Sequence, residues 1–372
     1  MKIKTTALLS AVAVASFTAL HAMPVCGAAS MLGDVNSDET VNTDDAFLIL
    51  NEYALRAAGM GSYIRDDLAD IDSDGSVTLT DASFLLTYYA QYSAGMNVTL
   101  EGILGIEERI DVNISMSGIN STYALLMDAK TGDVIAEKNG YSTMYPASMT
   151  KIMTAIVTIE NFPDVNQYVT LPSAAVNAAY SRGGSTAGFS GGAYVPMLDL
   201  LYGMLLPSGC ECCIGAALII SGSESAFVEL MNQKARELGM TGTHYANTTG
   251  LPDSNHYTTV HDMTLLMRYA IQNDIFRQVD TTQSHTAANG LYMRSTMFKS
   301  LINNYGSTSV TGGNILGGKT GTTSAAGSCL CSFAEIDGRE YVLCTAKAAY
   351  SGLNIADART IYSRLGTALA AT

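Results

Sequence analysis

The sequence predicts two domains of different class, a small all-α module followed by a larger α/β domain. Three observations carry that reading. The chain has 372 residues, about two domains' worth at ~150 residues each. Its charge is unevenly placed: residues 31–96 hold 12 acids and two Arg, whereas residues 97–372 hold 22 acids and 16 bases. The acidic segment contains an internal loop–helix repeat, and the rest alternates hairpin signals with amphipathic helices. Apolar residues make up 48% and charged residues 15%, enough to pack a core and too apolar for wholesale disorder. A formal charge of -14 argues against general binding of nucleic acid or anionic membrane.

The N-terminus reads as an export signal over residues 1–28. Lys2 and Lys4 precede an apolar run from Ala7 to Leu20, and Ala22 or Gly27–Ala29 offers small residues for cleavage. The run is shorter than the ~20 apolar residues a span requires, so a membrane anchor ranks below a cleaved signal. The expected mature chain is extracellular and has no membrane anchor. Export permits disulfides. Beyond Cys26, the six cysteines Cys210, Cys212, Cys213, Cys329, Cys331 and Cys344 allow 15 pairings, among which sequence does not choose. Their spacings miss the usual zinc patterns, and the favoured reading is small buried residues.

Residues 31–96 form the small module. The stretch beginning at Asp34, with Asn36, Asp38, Thr40, Asn42 and Asp45 at loop positions 1, 3, 5, 7, 9 and 12, recurs 36 residues later as Asp70, Asp72, Asp74, Ser76, Thr78 and Asp81. Side-chain oxygens plus a backbone carbonyl at position 7 (Thr40, Ser76) supply the six to eight hard oxygens that Ca²⁺ takes. Each loop runs into an apolar helix, Ala46–Ala54 and Ala82–Ala90. Two copies in one register argue against a merely acidic surface. Asp at position 12 and the loop-then-helix order depart from the common EF-hand. The module resembles a type I dockerin, which plugs enzymes onto cohesin domains of a cellulosome scaffoldin. The resemblance implies structural Ca²⁺ and a cohesin partner chosen through loop positions 10 and 11, here Thr43–Asp44 and Leu79–Thr80. Glu39 stands where the second loop has Gly75 at the sharp turn, which predicts a weaker first site.

Residues 97–115 read as a linker and residues 116–372 as the larger domain. A hairpin is expected from Tyr123–Asp128 and Val134–Glu137, turned at Lys130–Asp133. Pro146-Ala147-Ser148-Met149-Thr150-Lys151 then opens a helix whose apolar residues Met149, Ile152, Met153, Ile156 and Val157 recur at i, i+3, i+4, i+7 and i+8. Ser148 lies at the first turn, where the helix dipole favours developing negative charge. Lys151 lies one turn on along the same face. A serine nucleophile needs an adjacent base, and a lysine whose pKa is lowered by its surroundings can be that base. S-x-x-K alone occurs often by chance. Two further elements follow in order: Ser208-Gly209-Cys210 before an apolar helix (Ile214–Ser221), and Lys319-Thr320-Gly321-Thr322 before a hairpin of strands Ser328–Glu335 and Arg339–Ala346 turned by Asp337–Gly338. Lys319 supplies a fixed charge, Thr320 and Thr322 suit a carboxylate, and Gly321 allows close backbone approach. Lys130-Thr131-Gly132 is a second K-T-G, but it precedes Ser148 and reads as turn chemistry.

S-x-x-K, S-G-x and K-T-G in this order form the signature of penicillin-recognising serine enzymes. The stretches LMDAKTGDVIAEKNG, YPASMTKIMTA, DLLYGMLLPSG, SESAFVELMNQKARELGMTGTHYANTTGLPDSNHYTT and GGKTGTTSAAG are similar to the low-molecular-mass D-alanyl-D-alanine carboxypeptidases over about residues 118–370. The resemblance implies a serine β-lactamase/DD-peptidase-like α/β fold with a central antiparallel sheet flanked by helices and an all-helical subdomain between the first motif and the K-T-G strand. It implies that Ser148 attacks the bond between two D-alanines of a peptidoglycan stem peptide, with Lys151 as base. Ser208 relays a proton to the leaving D-alanine, and Lys319, Thr320 and Thr322 hold the terminal carboxylate. Backbone N–H groups of Ser148 and Thr322 form an oxyanion hole, worth roughly 3 kcal/mol per donor by analogy. β-Lactams would act as inhibitors that acylate Ser148. No catalytic cofactor is implied.

Cys210 stands where the family's second motif usually ends in Asn, so a substrate-binding amide is replaced by a thiol, a weak hydrogen-bond partner. Thr322 follows K-T-G where relatives often carry His or Tyr. Arg359 reads as part of a last helix, about Ala356–Leu369, and not as a carboxylate-binding Arg. His244, His256 and His261 read as structural. The leading reading is a secreted, scaffold-docked D-alanyl-D-alanine carboxypeptidase. Two rivals stay open. One is a β-lactamase of the same fold, although Asn161–Ser190 lacks a Glu-x-x-Leu-Asn signal. The other is a weakly catalytic peptidoglycan-binding module, supported by Cys210 alone.

Overall fold

A computed structural model of the chain describes residues 31–60, 62–72, 74–94, 98, 100, 103 and 112–371. The export signal expected over residues 1–28 lies outside the described residues. The chain divides into two compact units, residues 1–108 and 109–372.

In the first unit the two loops are built alike. Asp34 accepts from the N–H groups of Asp38 and Glu39, each at 3.0 Å. Asp70 accepts from Asp74 at 3.1 Å and Gly75 at 2.9 Å. Loop position 9 is in each case the N-cap of the following helix. Asn42 caps Thr43–Ala57, Thr78 caps Leu79–Ser93, and the Asp three residues on closes a capping box. The helices therefore begin about three residues earlier than the apolar pattern alone indicates. A small core of Val35, Ala46, Ile49, Ile71, Val77, Ala82 and Leu85 lies under the loops.

Glu39 has φ +68, where its counterpart Gly75 has φ +89. A residue with a Cβ in this region costs roughly 1 kcal/mol or more. Glu39→Gly is accordingly expected to stabilise this unit by about 0.5–1 kcal/mol, read as an increase in thermal midpoint. The reverse change in the second loop, Gly75→Glu, should lower it.

The second unit centres on a six-stranded antiparallel sheet, with strands ordered β2-β1-β10-β9-β8-β7. In chain order these are β1 (Tyr123–Asp128), β2 (Val134–Lys138), β7 (Ser309–Val310), β8 (Gly313–Thr323), β9 (Gly327–Ile336) and β10 (Arg339–Ala348). The Asp337–Gly338 turn has φ +53 and +75, the two positive angles of a hairpin turn that matches strand twist. At the first hairpin, Asp128 Oδ1 accepts from Lys130 and Thr131 N–H at 2.8 and 3.0 Å. The early K-T-G is thus turn chemistry. One sheet face packs against helices Leu353–Leu369 and Thr296–Tyr305, through Leu343, Tyr362, Leu365 and Phe298. The other packs against helices Thr150–Asn161 and Val260–Ala270, through Met149, Met153, Met263, Phe333 and Cys344.

The lobe between the Ser148 turn and β8 is mainly helical, with Ser173–Ser181, Met197–Leu205, Cys210–Ser221 and Glu224–Glu237 among its helices. It is not all-helical as expected. It also holds two antiparallel ribbons, β3 (Tyr168–Thr170) with β4 (Tyr194–Pro196), and β5 (Ser284–Thr286) with β6 (Tyr292–Arg294). Three-residue strands leave little periodicity to read. Among the described residues, no single helix is long and apolar enough to cross a membrane.

Candidate active site

The Ser148 turn comes first. Pro146 leads into a 3₁₀ turn, Ala147–Met149, which passes into the α-helix Thr150–Asn161. Ala147 has φ +48, so the serine sits on a strained turn rather than within a regular helix. Such strain persists only where the surroundings over-determine it, and three contacts do so. Thr150 Oγ1 donates to Ala147 O at 2.8 Å. Gly250, with φ +82, comes so close that a Cβ there would lie 1.8 Å from Ala147 O. A Cβ at Gly321 would lie 3.0 Å from Ser148 N and 3.1 Å from Ala147 Cβ. Gly321 therefore lets β8 close against the Ser148 turn, which is a more specific reason for glycine than approach to a ligand.

His256 holds this turn from behind. Its Nδ1 accepts from Ala246 N–H at 3.0 Å, and its Nε2 lies 2.7 Å from Thr150 Oγ1. A backbone donor on Nδ1 leaves the proton on Nε2, which donates to Thr150. Burial pushes the ring's pKa down to about 4, so it stays neutral near pH 7. His256 is a positioning residue for Ser148.

Two buried lysines meet the two serines in parallel fashion. Lys151 is 0% exposed. Its Nζ donates to Ser148 Oγ at 2.9 Å and to Thr249 O at 2.7 Å. Lys319 is likewise 0% exposed. Its Nζ donates to Ser208 Oγ at 3.1 Å and to Thr320 O at 2.7 Å. Each amine thus has one hydroxyl and one carbonyl partner. Burial, and then the neighbouring Lys151, lower Lys319 to about 7, while Asp280 opposes that shift. Asp280 is itself pushed up to about 7 by burial, against the pull of Lys319. Its Oδ2 is buried without a hydrogen-bond partner. Asp280 was not legible as a site residue, because it closes the helix Asp274–Asp280 far from any motif.

Ser208 has φ +70, again a strained non-glycine position at the site. Ser185 Oγ ties it down by donating to Ser208 O at 2.5 Å. Cys210 is 1% exposed. Its N–H donates to Ser185 O at 2.8 Å, and its Sγ lies 3.9 Å from Ser185 Oγ. A Cβ on Gly184 would lie 2.9 Å from that sulfur, so the thiol packs against the 184–185 segment. Thr320 Oγ1 pairs with Thr296 Oγ1 at 2.7 Å, and Thr322 is exposed on β8. Arg359 donates to Ser307 O at 3.3 Å and stacks over Tyr305, in line with a structural role.

The six cysteines are free and buried. Burial raises the thiols of Cys212, Cys213 and Cys344, and carries Cys329 to about 11. Raised thiols are poor nucleophiles at neutral pH.

The acidic loops supply a donor set of another kind. In the second loop, oxygens of Asp70, Asp72 and Asp74 lie within 4.8 Å of one another. Clustered carboxylates suit a hard divalent cation. Asp45 and Asp81 sit beneath their loops, 0% exposed. Their oxygens accept from the backbone N–H groups of Val35 and Asn42 (2.9 Å each), and of Ile71 and Thr78 (2.7 Å each).

Comparison with known proteins gives two domain matches. Residues 111–349 match the D-alanyl-D-alanine carboxypeptidase family of peptidases, and residues 32–88 match the type I dockerin domain. A D-alanyl-D-alanine carboxypeptidase of Bacillus subtilis (strain 168), DacF, is 35% identical over 145 residues, covering 39% of this chain and 37% of that one. A D-alanyl-D-alanine endopeptidase of Pseudomonas aeruginosa is 32% identical over 212 residues, covering 56% and 64%. The first of these alignments spans well under half the relative's length. Among solved structures, the Streptomyces K15 DD-transpeptidase is similar with a TM-score of 0.61 and 26% identity, covering 68% of this chain and 100% of that one.

Proposed function

The chain belongs to the D-alanyl-D-alanine carboxypeptidase family and carries a type I dockerin, and from that membership we propose that it is a secreted serine D-alanyl-D-alanine carboxypeptidase carried on a cellulosome scaffold. The observation that carries the reading is the 2.9 Å contact of Lys151 Nζ with Ser148 Oγ, beside the Lys319–Ser208 pair. Lys151 Nζ accepts the Ser148 proton as Oγ attacks the penultimate D-alanine carbonyl. The peptide C–N bond breaks, and the leaving amine takes a proton through Ser208. Terminal D-alanine departs, and water then hydrolyses the ester, returning the Ser148 hydroxyl. Lys319 and Thr320 attract the terminal carboxylate, with Thr322 beside them. The N–H groups of Ser148 and Thr322 receive the oxyanion. Cys210 lines the site in place of an amide.

Asp34, Asn36, Asp38, Thr40, Asn42 and Asp45 would hold one Ca²⁺, and Asp70, Asp72, Asp74, Ser76, Thr78 and Asp81 a second. The ions would neutralise clustered carboxylates and fix the loops for a cohesin partner. The lead peptide expected over residues 1–28 would deliver the chain outside the cell.

The test is an intact-mass time course of the protein with penicillin, beside Ser148→Ala. A long-lived adduct on the wild type alone is the expected result. Drug consumption without an adduct would favour a β-lactamase, and an untouched drug a binding module.

A further inference from the structure

We propose that Glu211 is a positioning residue for proton delivery to the leaving amine, acting through segment 184–188 on Ser208; this rests on the acyl-transfer reading above. Segment 184–188 follows helix Ser173–Ser181 and belongs to no helix or strand. It therefore has no ladder to take up its backbone N–H groups. Glu211 takes up two of them. Its Oε1 accepts from Ala187 N–H at 2.7 Å and from Gly188 N–H at 2.9 Å. Bonds of this kind to a carboxylate are roughly twice as strong as those to a neutral acceptor. Glu211 lies in the first turn of helix Cys210–Ser221, where a carboxylate also faces the positive end of the helix dipole.

The same segment grips the turn that carries Ser208. Ser185 Oγ donates to Ser208 O, and Cys210 N–H donates to Ser185 O. A Cβ on Gly209 would lie 2.8 Å from Ala187 Cβ and 2.9 Å from Ala187 N, so Ala187 rests directly on the backbone of this turn. Ser208 holds φ +70, a conformation that persists only under such constraint. The Ser208 hydroxyl in turn meets Lys319 Nζ at 3.1 Å. Glu211 thus ends a chain of contacts that runs from its carboxylate through Ala187 and Ser185 to the backbone of Ser208. The arrangement has a cost. The Glu211 side chain is buried, and its Oε2 has no hydrogen-bond partner among the described residues. A buried carboxylate oxygen left unpaired lowers stability, and the tie at Ser208 is what that cost sustains.

The probes are Nα,Nε-diacetyl-L-Lys-D-Ala-D-Ala and the thiolester in which D-thiolactate replaces the terminal D-alanine. Both put the same acyl group on Ser148. With the peptide, the C–N bond breaks as the amine gains a proton through Ser208. With the thiolester, the C–S bond breaks and the thiolate leaves without one. Glu211→Ala is expected to lower kcat/KM on the peptide about tenfold to hundredfold, a part of what a general acid contributes, and on the thiolester by less than about threefold. Glu211→Gln keeps an acceptor oxygen and should bring the peptide back to within about threefold of wild type. Ser185→Ala cuts the next link and should show the same peptide-selective loss. If Glu211→Ala does not fold, Glu211→Asp, one methylene too short to reach both N–H groups, is read in its place. Equal loss on the two substrates, or an undiminished peptide rate, in the Ala or Asp variant would overturn the proposal alone. A wild type with neither turnover nor a penicillin adduct would overturn the acyl-transfer reading and this one with it.

Discussion

Replacing Lys151 by methionine is expected to slow acylation by penicillin 10²- to 10⁴-fold, the usual scale for loss of a general base. The amine is buried, and among the described residues its hydrogen-bond partners are Ser148 Oγ and Thr249 O. Methionine has similar length and volume, so the core around helix Thr150–Asn161 keeps its packing. Removing a buried amine that has no carboxylate partner also relieves a desolvation cost. The variant should therefore melt at or above the wild-type temperature while losing activity. That split separates loss of chemistry from misfolding. Acylation within tenfold of wild type would mean that another group takes the Ser148 proton, and would reassign Lys151 to packing.

The parts of the site that could be read from sequence are those whose spacing is local. Ser148 and Lys151 are one turn apart, and the repeated acidic loops declare their register by period alone. The Asp337–Gly338 hairpin is likewise a short-range signal. What could not be read is what arrives through tertiary contact. Thr249 O meets Lys151 across 98 residues, whereas the meeting of Lys319 with Ser208 across 111 residues is implied by the family resemblance and not by spacing. His256 was legible only as a structural histidine, because nothing in its neighbourhood marks Thr150 as its partner. Ser185 and Asp280 lie outside every motif and reach the site through chain geometry. The two short ribbons in the helical lobe escaped for a different reason. Strands of three residues are set by their partners rather than by alternation.

Asp280 gives the second large effect, and its sign can be worked out. Lys319 ionises near pH 7 in the fold, lowered mainly by burial. It is charged below that pH and neutral above it. Binding a terminal carboxylate needs the charge, so kcat/KM for acylation should decline as pH rises through about 7. The Asp280 carboxylate raises the Lys319 pKa. Asp280→Asn removes that anion, so the basic limb should move to lower pH and the activity deficit should be greatest near pH 8. Stability should move the other way. Asp280 is raised from 3.8 to about 7, so the stability it contributes is full below pH 3.8 and is lost as pH rises through 7. Lys319 is lowered from 10.5 to about 7, so its contribution is present above pH 10.5 and is lost as pH falls through 7. At pH 8 the wild type then carries an ionised, buried Asp280 beside a largely neutral Lys319. The Asn variant lacks this burden and is expected to melt higher at pH 8 than the wild type, while acylating more slowly. At pH 5 the difference in melting should shrink, because Asp280 is then mostly protonated. A basic limb that stays in place in Asp280→Asn would show that the carboxylate does not set the charge of Lys319. A lower melting temperature at pH 8 would show that Asp280 serves packing instead.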